Sequence, residues 1–242
     1  MNDFQNIGIF LQLAAMIILL LKIICTFDCT GVSGRTQILY ALVLSTRFLD
    51  LPYEFQISLP SFIIKIVYLF VAYLTVLFIF FVHRSTYERE YDTFRFDLLI
   101  GACTVMALLC TYKKWELLSI LWHFSVFLET FAIFPQIYFT TKANYTGSSL
   151  VFYVGMLACY RAFYTVHWIY LLLVEGYVDN YYVAASGSTQ FIIYCGYFVW
   201  MVPIFKAQYA HLKNDESQLD VVSIAPNDFE CNISKNESLF NN

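Results

Sequence analysis

Apolar positions along this chain fall into long runs, set apart by short clusters of turn-forming and charged residues. A helix that crosses a bilayer needs roughly 20 mostly apolar residues, fewer where its ends are held by protein. Seven runs meet or approach that length: Phe4–Ile24, Ile38–Leu51, Phe62–Val82, Leu98–Thr111, Leu118–Phe139, Leu150–Val174 and Val183–Phe205. The second and fourth are the shortest. The separators carry turn chemistry: Cys29-Thr-Gly-Val-Ser-Gly, Pro52 with Pro60, the charged stretch from Arg84 to Asp97, Lys113-Lys114, and Asn144-Tyr-Thr-Gly-Ser-Ser. The pattern predicts an all-α integral membrane protein with seven transmembrane helices.

Composition removes the soluble alternative. The 242 residues are 60% hydrophobic and 13% charged, whereas a soluble domain is about a quarter charged and must keep a large polar exterior. Abundant Phe and Tyr suit membrane interfaces and helix contacts. No basic block points to nucleic acid. Most cysteines lie inside apolar runs as small hydrophobes, and Cys25 with Cys29 lacks a partner pair, so neither a metal site nor a cofactor is expected. The first run is too long, and too poor in basic residues before it, for a cleavable signal. From about Lys213 the chain turns polar and is expected to be a disordered tail. This gives a membrane domain over 1–207 and a tail over 208–242.

Basic residues orient the bundle. With the N-terminus lumenal, the cytosolic side receives Lys22, Arg35, Arg84, Arg89, Arg95, Lys142, Lys206, Lys213 and Lys235, and the opposite side only Lys113 and Lys114. The C-terminus is then cytosolic. The sequons at Asn144, Asn232 and Asn236 also face the cytosol and are expected to be unmodified.

Ionisable groups inside a bilayer are costly and mark candidate sites. Arg47 and Asp50 in the second run are three residues apart, so on one helix they share a face and could pair with each other. Glu129 in the fifth and Arg161 in the sixth have opposite charge at similar depth and are expected to meet, directly or through Tyr160. Pro135-Gln136 predicts a kink late in the fifth helix. His123 and His167 read as helix-to-helix hydrogen-bond partners rather than metal ligands. No nucleophile–base pair or phosphate loop suggests an enzyme.

Several segments together resemble the ER lumen protein-retaining (KDEL) receptors. They are Met1-Asn2, Leu19-Leu-Leu-Lys-Ile, Gly31-Val-Ser-Gly-Arg-Thr-Gln, Arg47-Phe-Leu-Asp-Leu and Tyr91-Asp-Thr-Phe-Arg, then Ile120-Leu-Trp-His-Phe-Ser, Phe127-Leu-Glu, Phe134-Pro-Gln, Tyr160-Arg-Ala-Phe-Tyr, His167-Trp-Ile and Glu175-Gly-Tyr-Val-Asp. They run in family order over about 1–207. The resemblance implies two three-helix bundles joined by a linking helix, the SWEET/PQ-loop plan. It implies a receptor of the ER and cis-Golgi membranes that binds the C-terminal tails of escaped lumenal ER proteins and returns them to the ER through the COPI coat. Carried over by position, Arg47 looks like the group that receives the tail's carboxylate, and Asp50 like part of the pocket for the signal's basic residue. Tyr160, Arg161, Tyr164 and Trp168 look like cavity lining. Glu129 with Tyr160 resembles a pair that tightens when the receptor is protonated.

The chain departs from that pattern at Gln5, Gln12, Ser119, Leu171 and Gly196, where relatives carry arginine, histidine, glutamate, arginine and aspartate. Gln5 and Leu171 remove cations that would face acidic residues of the signal, and Ser119 an anion that would face its lysine. Gln12 removes a titrating imidazole, which leaves any pH response to Glu129, His123 or His167. Three functions stay open on these residues: a receptor for a less charged signal, a small-solute transporter on the same plan, and a membrane scaffold that keeps only the fold.

Overall fold

The computed structural model describes residues 3–111, 116–143, 147–174, 176 and 180–224, the last stretch by side chain only as far as 203. Every regular element among them is helical: α1 (Asp3–Thr26), α2 (Gly34–Arg47), α3 (Leu51–Ile57), α4 (Leu59–Leu77), α5 (Phe96–Cys110), α6 (Leu117–Phe131), α7 (Phe134–Ala143), α8 (Ser148–Val174) and α9 (Tyr181–Ile224). A wide π turn, Phe78–Val82, prolongs α4. Four stretches are long and apolar enough to cross a membrane: Phe4–Thr26, Leu59–Val82, Leu117–Ala143 and Ser148–Val174. Their outward faces expose large apolar side chains that water would not tolerate in such number, among them Phe10, Phe70, Leu117 and Leu173.

Two expected helices differ in ways that matter for the site. The second begins at Gly34, ahead of its apolar run, because Ser33 caps it: the Ser33 hydroxyl accepts from the Thr36 amide at 3.2 Å. It ends at Arg47, not Leu51, and Phe48–Asp50 form a turn before α3. Arg47 and Asp50 are therefore not on one helix, and the i, i+3 relation fails. The expected fifth helix is two helices broken at Ala132–Ile133. Pro135 has no N–H to offer the Phe131 carbonyl, and its ring crowds that carbonyl, so α6 stops at Phe131. The kink expected at Pro135 lies three residues ahead of it. At the other end, α9 continues to Ile224, through positions expected to be unstructured. Lys113, Lys114, Asn144, Glu175, Asn232, Lys235 and Asn236 lie outside the described residues.

The packing brings the charged helices together. Met16 and Leu20 of α1, Ala41 and Leu44 of α2, and Tyr68, Val71 and Ala72 of α4 form one buried apolar cluster. α6 packs against α2 and α5, and α8 lies along α1. Close approach of α8 depends on glycine. A Cβ at Gly8 of α1 would lie 2.5 Å from the Tyr164 ring, and one at Gly187 of α9 would lie 2.5 Å from the Trp168 ring.

Candidate functional site

The Glu129 carboxylate sits near the end of α6, 2% exposed. Four donors from three other helices converge on it. The Tyr160 hydroxyl donates to Oε1 at 2.6 Å and the Gln12 amide at 3.3 Å. An Arg47 guanidinium nitrogen lies 2.5 Å from Oε2, as does one from Arg161. Arg47 Nε also donates to Ser125 Oγ at 3.2 Å, and the Arg161 guanidinium lies over the Tyr160 ring. Helix geometry explains the convergence. Tyr160 and Arg161 are adjacent in the middle of α8, Arg47 is the last residue of α2, and Gln12 is one helical turn past Gly8 on α1, where α8 comes close.

A buried charge is tolerated when it is paired and hydrogen-bonded. Here two guanidiniums meet one carboxylate, so one positive charge is in excess. Arg161 is buried and its Nε has no hydrogen-bond partner among the described residues, while the Arg47 side chain is 23% exposed. Arg47 lines three adjoining cavities. The largest, about 380 Å³, lies between α1, α2 and α4 and is walled by Ile9, Phe10, Leu44, Phe48, Ile64 and Tyr68, with Lys65 at its edge. A second, about 190 Å³, holds Glu129, Tyr160, Arg161, Tyr164 and Trp168. The third, about 240 Å³, includes Asp50, Lys65 and Trp122. The arrangement suits the capture of a small anion that has an apolar or amphipathic body: a bidentate guanidinium at the junction and greasy walls beyond.

Glu129 and Arg161 meet directly and also through Tyr160, as their opposite charges suggested. Arg47 does not pair with Asp50. It turns to Glu129, and Asp50 accepts from Lys65 of α4 at 2.9 Å. Lys65 and Ser125 also line or touch the site; sequence marks Lys65 only as a basic residue near membrane depth and Ser125 only as the end of the Ile120–Ser125 segment, because each is one polar position within an apolar run. Of the departing positions, Gln12 lies on the cavity walls, whereas Gln5, Ser119 and Leu171 are not among their lining residues. His123 Nδ1 lies 2.8 Å from the Ser119 carbonyl oxygen, within its own helix.

A second polar network sits at the loop end of the same bundle. Gln136 at the start of α7 is fully buried; its side-chain Oε1 accepts from the Ser33 backbone amide at 2.8 Å and its Nε2 donates to the Gly31 carbonyl at 2.9 Å. Asp92, equally buried, accepts from Ser33 Oγ at 2.9 Å, from the Arg35 amide at 3.0 Å and from the Tyr87 hydroxyl at 2.6 Å. Burial raises the Tyr87 phenol, and so does its bond to that carboxylate. Nearby, partial burial would raise the Asp28 carboxyl, but hydrogen bonds from the Thr30 hydroxyl and amide, with Lys22 close by, hold it below its ordinary value.

Helices of this length and apolarity, packed about an internal ionic cluster, are those of a multi-helix membrane protein with a buried polar chamber. Its sequence places it among known proteins. The family model for the ER lumen protein retaining receptor matches residues 28–171. The chain is 40% identical over 198 residues to human ER lumen protein-retaining receptor 2, covering 82% of this chain and 92% of that one. It is 41% identical to receptors 3 and 2 of Danio rerio, over 82% of this chain and 91% and 92% of theirs. This chain belongs to the ER lumen protein-retaining receptor, or KDEL receptor, family.

Proposed function

We propose that this protein is a receptor for the C-terminal retention signals of lumenal ER proteins, which it binds in the Golgi and returns to the ER in COPI vesicles. The observation that carries the reading is the charge imbalance at Glu129: the excess positive charge of Arg47 and Arg161 opens on a cavity, where a tail's free carboxylate neutralises it. Arg47, the more exposed of the two, takes the carboxylate. Tyr164 and Trp168 flank the tail, and Asp50, already shared with Lys65, faces a basic residue of the signal. Glu129 and Tyr160 form the lock that tightens when the receptor is protonated. The apolar wall formed by Ile9, Phe10 and Ile64, with uncharged Gln12 beside it, fits a signal of few charges.

In this reading seven helices span the membrane as two three-helix bundles about a linking helix, with the N-terminus lumenal and the tail toward the coat. Membership of the receptor family favours it over a solute transporter.

The test is equilibrium binding of free-acid and amidated tail peptides to the purified full-length protein. Loss of a buried charge partner costs about 2–5 kcal/mol. Amidation, or Arg47→Ala, is therefore expected to weaken binding about thirtyfold or more. Equal affinity for both peptide forms, or none for either, removes the receptor reading.

A further inference from the structure

A second cavity of about 380 Å³ lies at the loop end of the bundle, away from Glu129, among the start of α2, the π turn after α4 and the start of α5. The segment from Arg84 to Asp97 holds three arginines and four acids, and in sequence it reads as a mixed, solvated loop. Folding sorts those charges. Arg84 and Arg89 line the cavity and Arg35 of α2 joins them, against one acid, Asp92. Both Asp92 oxygens are already occupied, by Ser33, Tyr87 and the Arg35 amide. Glu88 does not line the cavity and accepts from the Gly31 amide at 3.0 Å. Arg35 is anchored by its bond to the Phe94 carbonyl and lies over the Phe96 ring. The side chains of Arg84 and Arg89 are exposed and make no hydrogen bond or ion pair among the described residues.

We infer that this cavity binds the phosphate headgroup of an anionic glycerophospholipid. Three guanidiniums around one occupied carboxylate leave the cavity cationic, and guanidinium suits phosphate oxygens in its planar, two-pronged geometry. Basic pockets among transmembrane helices near a membrane surface are places where anionic headgroups lodge. The depth is right: Phe80 and Phe96 on the cavity wall stand at the ends of apolar helices. What favours a lipid over free phosphate is the surface beside it. Phe81 is 80% exposed and Leu98 65% exposed, apolar faces along which acyl chains run.

The experiment reconstitutes the full-length protein in phosphatidylcholine nanodiscs doped with phosphatidylinositol 4-phosphate, and counts co-purifying lipid by native mass spectrometry. The variant is R84Q/R89Q; Arg35 is left alone because it also holds the Phe94 carbonyl. Wild type is expected to enrich the anionic lipid over phosphatidylcholine, and enrichment should fall about fivefold per arginine removed. Tail-peptide binding should not change, since neither arginine approaches Glu129, so failure here is separable from failure of the receptor reading. No enrichment by wild type, or equal enrichment by wild type and R84Q/R89Q, overturns the proposal. Displacement of the lipid by an equal concentration of inorganic phosphate overturns the lipid assignment in favour of a free-anion site.

Discussion

The Glu129 cluster and the Asp92–Gln136 network are both buried, both polar, and both tie distant parts of the chain together. They differ in balance. Around Asp92 and Gln136, donors match acceptors: Ser33 gives its amide to one and its hydroxyl to the other, and Gln136 uses both ends of its amide on the Gly31–Ser33 turn. Around Glu129, one carboxylate serves two guanidiniums, a phenol and an amide, and the Arg161 Nε is left over among the described residues. Hydrogen bonds matched in this way hold the fold. An unmatched one has capacity for something that arrives from outside. Burial of charge is thus a poor guide to a ligand site, and the surplus is a better one.

Glu129→Gln tests that contrast most severely. It strands two guanidiniums about a neutral amide, and breaking a buried ionic pair in this way destabilises by roughly 3–5 kcal/mol. Thermal unfolding of the detergent-solubilised protein should show it as the largest drop of the set. If instead E129Q unfolds where wild type does, the two clusters do not differ in the way described. Gln136→Ala comes next. It orphans the buried Ser33 N–H and the Gly31 carbonyl, at about 1–3 kcal/mol for each group left unsatisfied, while affinity for tail peptides stays at the wild-type value. A Gln136→Ala protein that folds well but no longer binds would erase the division between holding and binding. The smallest effect belongs to Asp28. Its folded carboxyl is held below the ordinary value, so the unfolded chain binds more protons, and the stabilisation is present above the ordinary carboxylate range and lost as pH falls through the lowered folded value. Relative to Asp28→Asn, wild type should lose thermal stability slightly faster as pH drops from about 6 to about 3. Parallel curves would mean that the Thr30 and Lys22 contacts do not act in solution.

The sequence made the helices legible wherever apolar runs were long, because burial in lipid or protein requires them. It was weaker at their ends. The polar first turn of α2, Gly34-Arg35-Thr36-Gln37, hides from a hydrophobicity reading and is set by the Ser33 cap. The pairing of Glu129 with Arg161 could be read from charge and depth alone. The partner of Arg47 could not: Asp50 is near in sequence, and only the end of α2 at Arg47 separates them and frees Asp50 for Lys65. Asp92 was concealed by its neighbours, one acid among several in a loop of mixed sign. The Pro135-Gln136 pair was visible as a kink signal, but the bonds of Gln136 to a turn more than a hundred residues away were not.

Gly8 and Gly187 have a consequence for tuning. Both face α8, the helix that carries Arg161, and each admits an aromatic ring of it where a single methyl would already stand at 2.5 Å. Ordinary contact begins near 3.4 Å, so an alanine at either place is a shim about 1 Å thick, wedged on one flank of that helix or the other. Such a shim alters no charge and deletes no donor. It presses first on the Tyr164 and Trp168 rings that line the chamber, and at Gly187 also stands 3.3 Å from the Arg161 guanidinium, so it reshapes the chamber while leaving its net charge as it was.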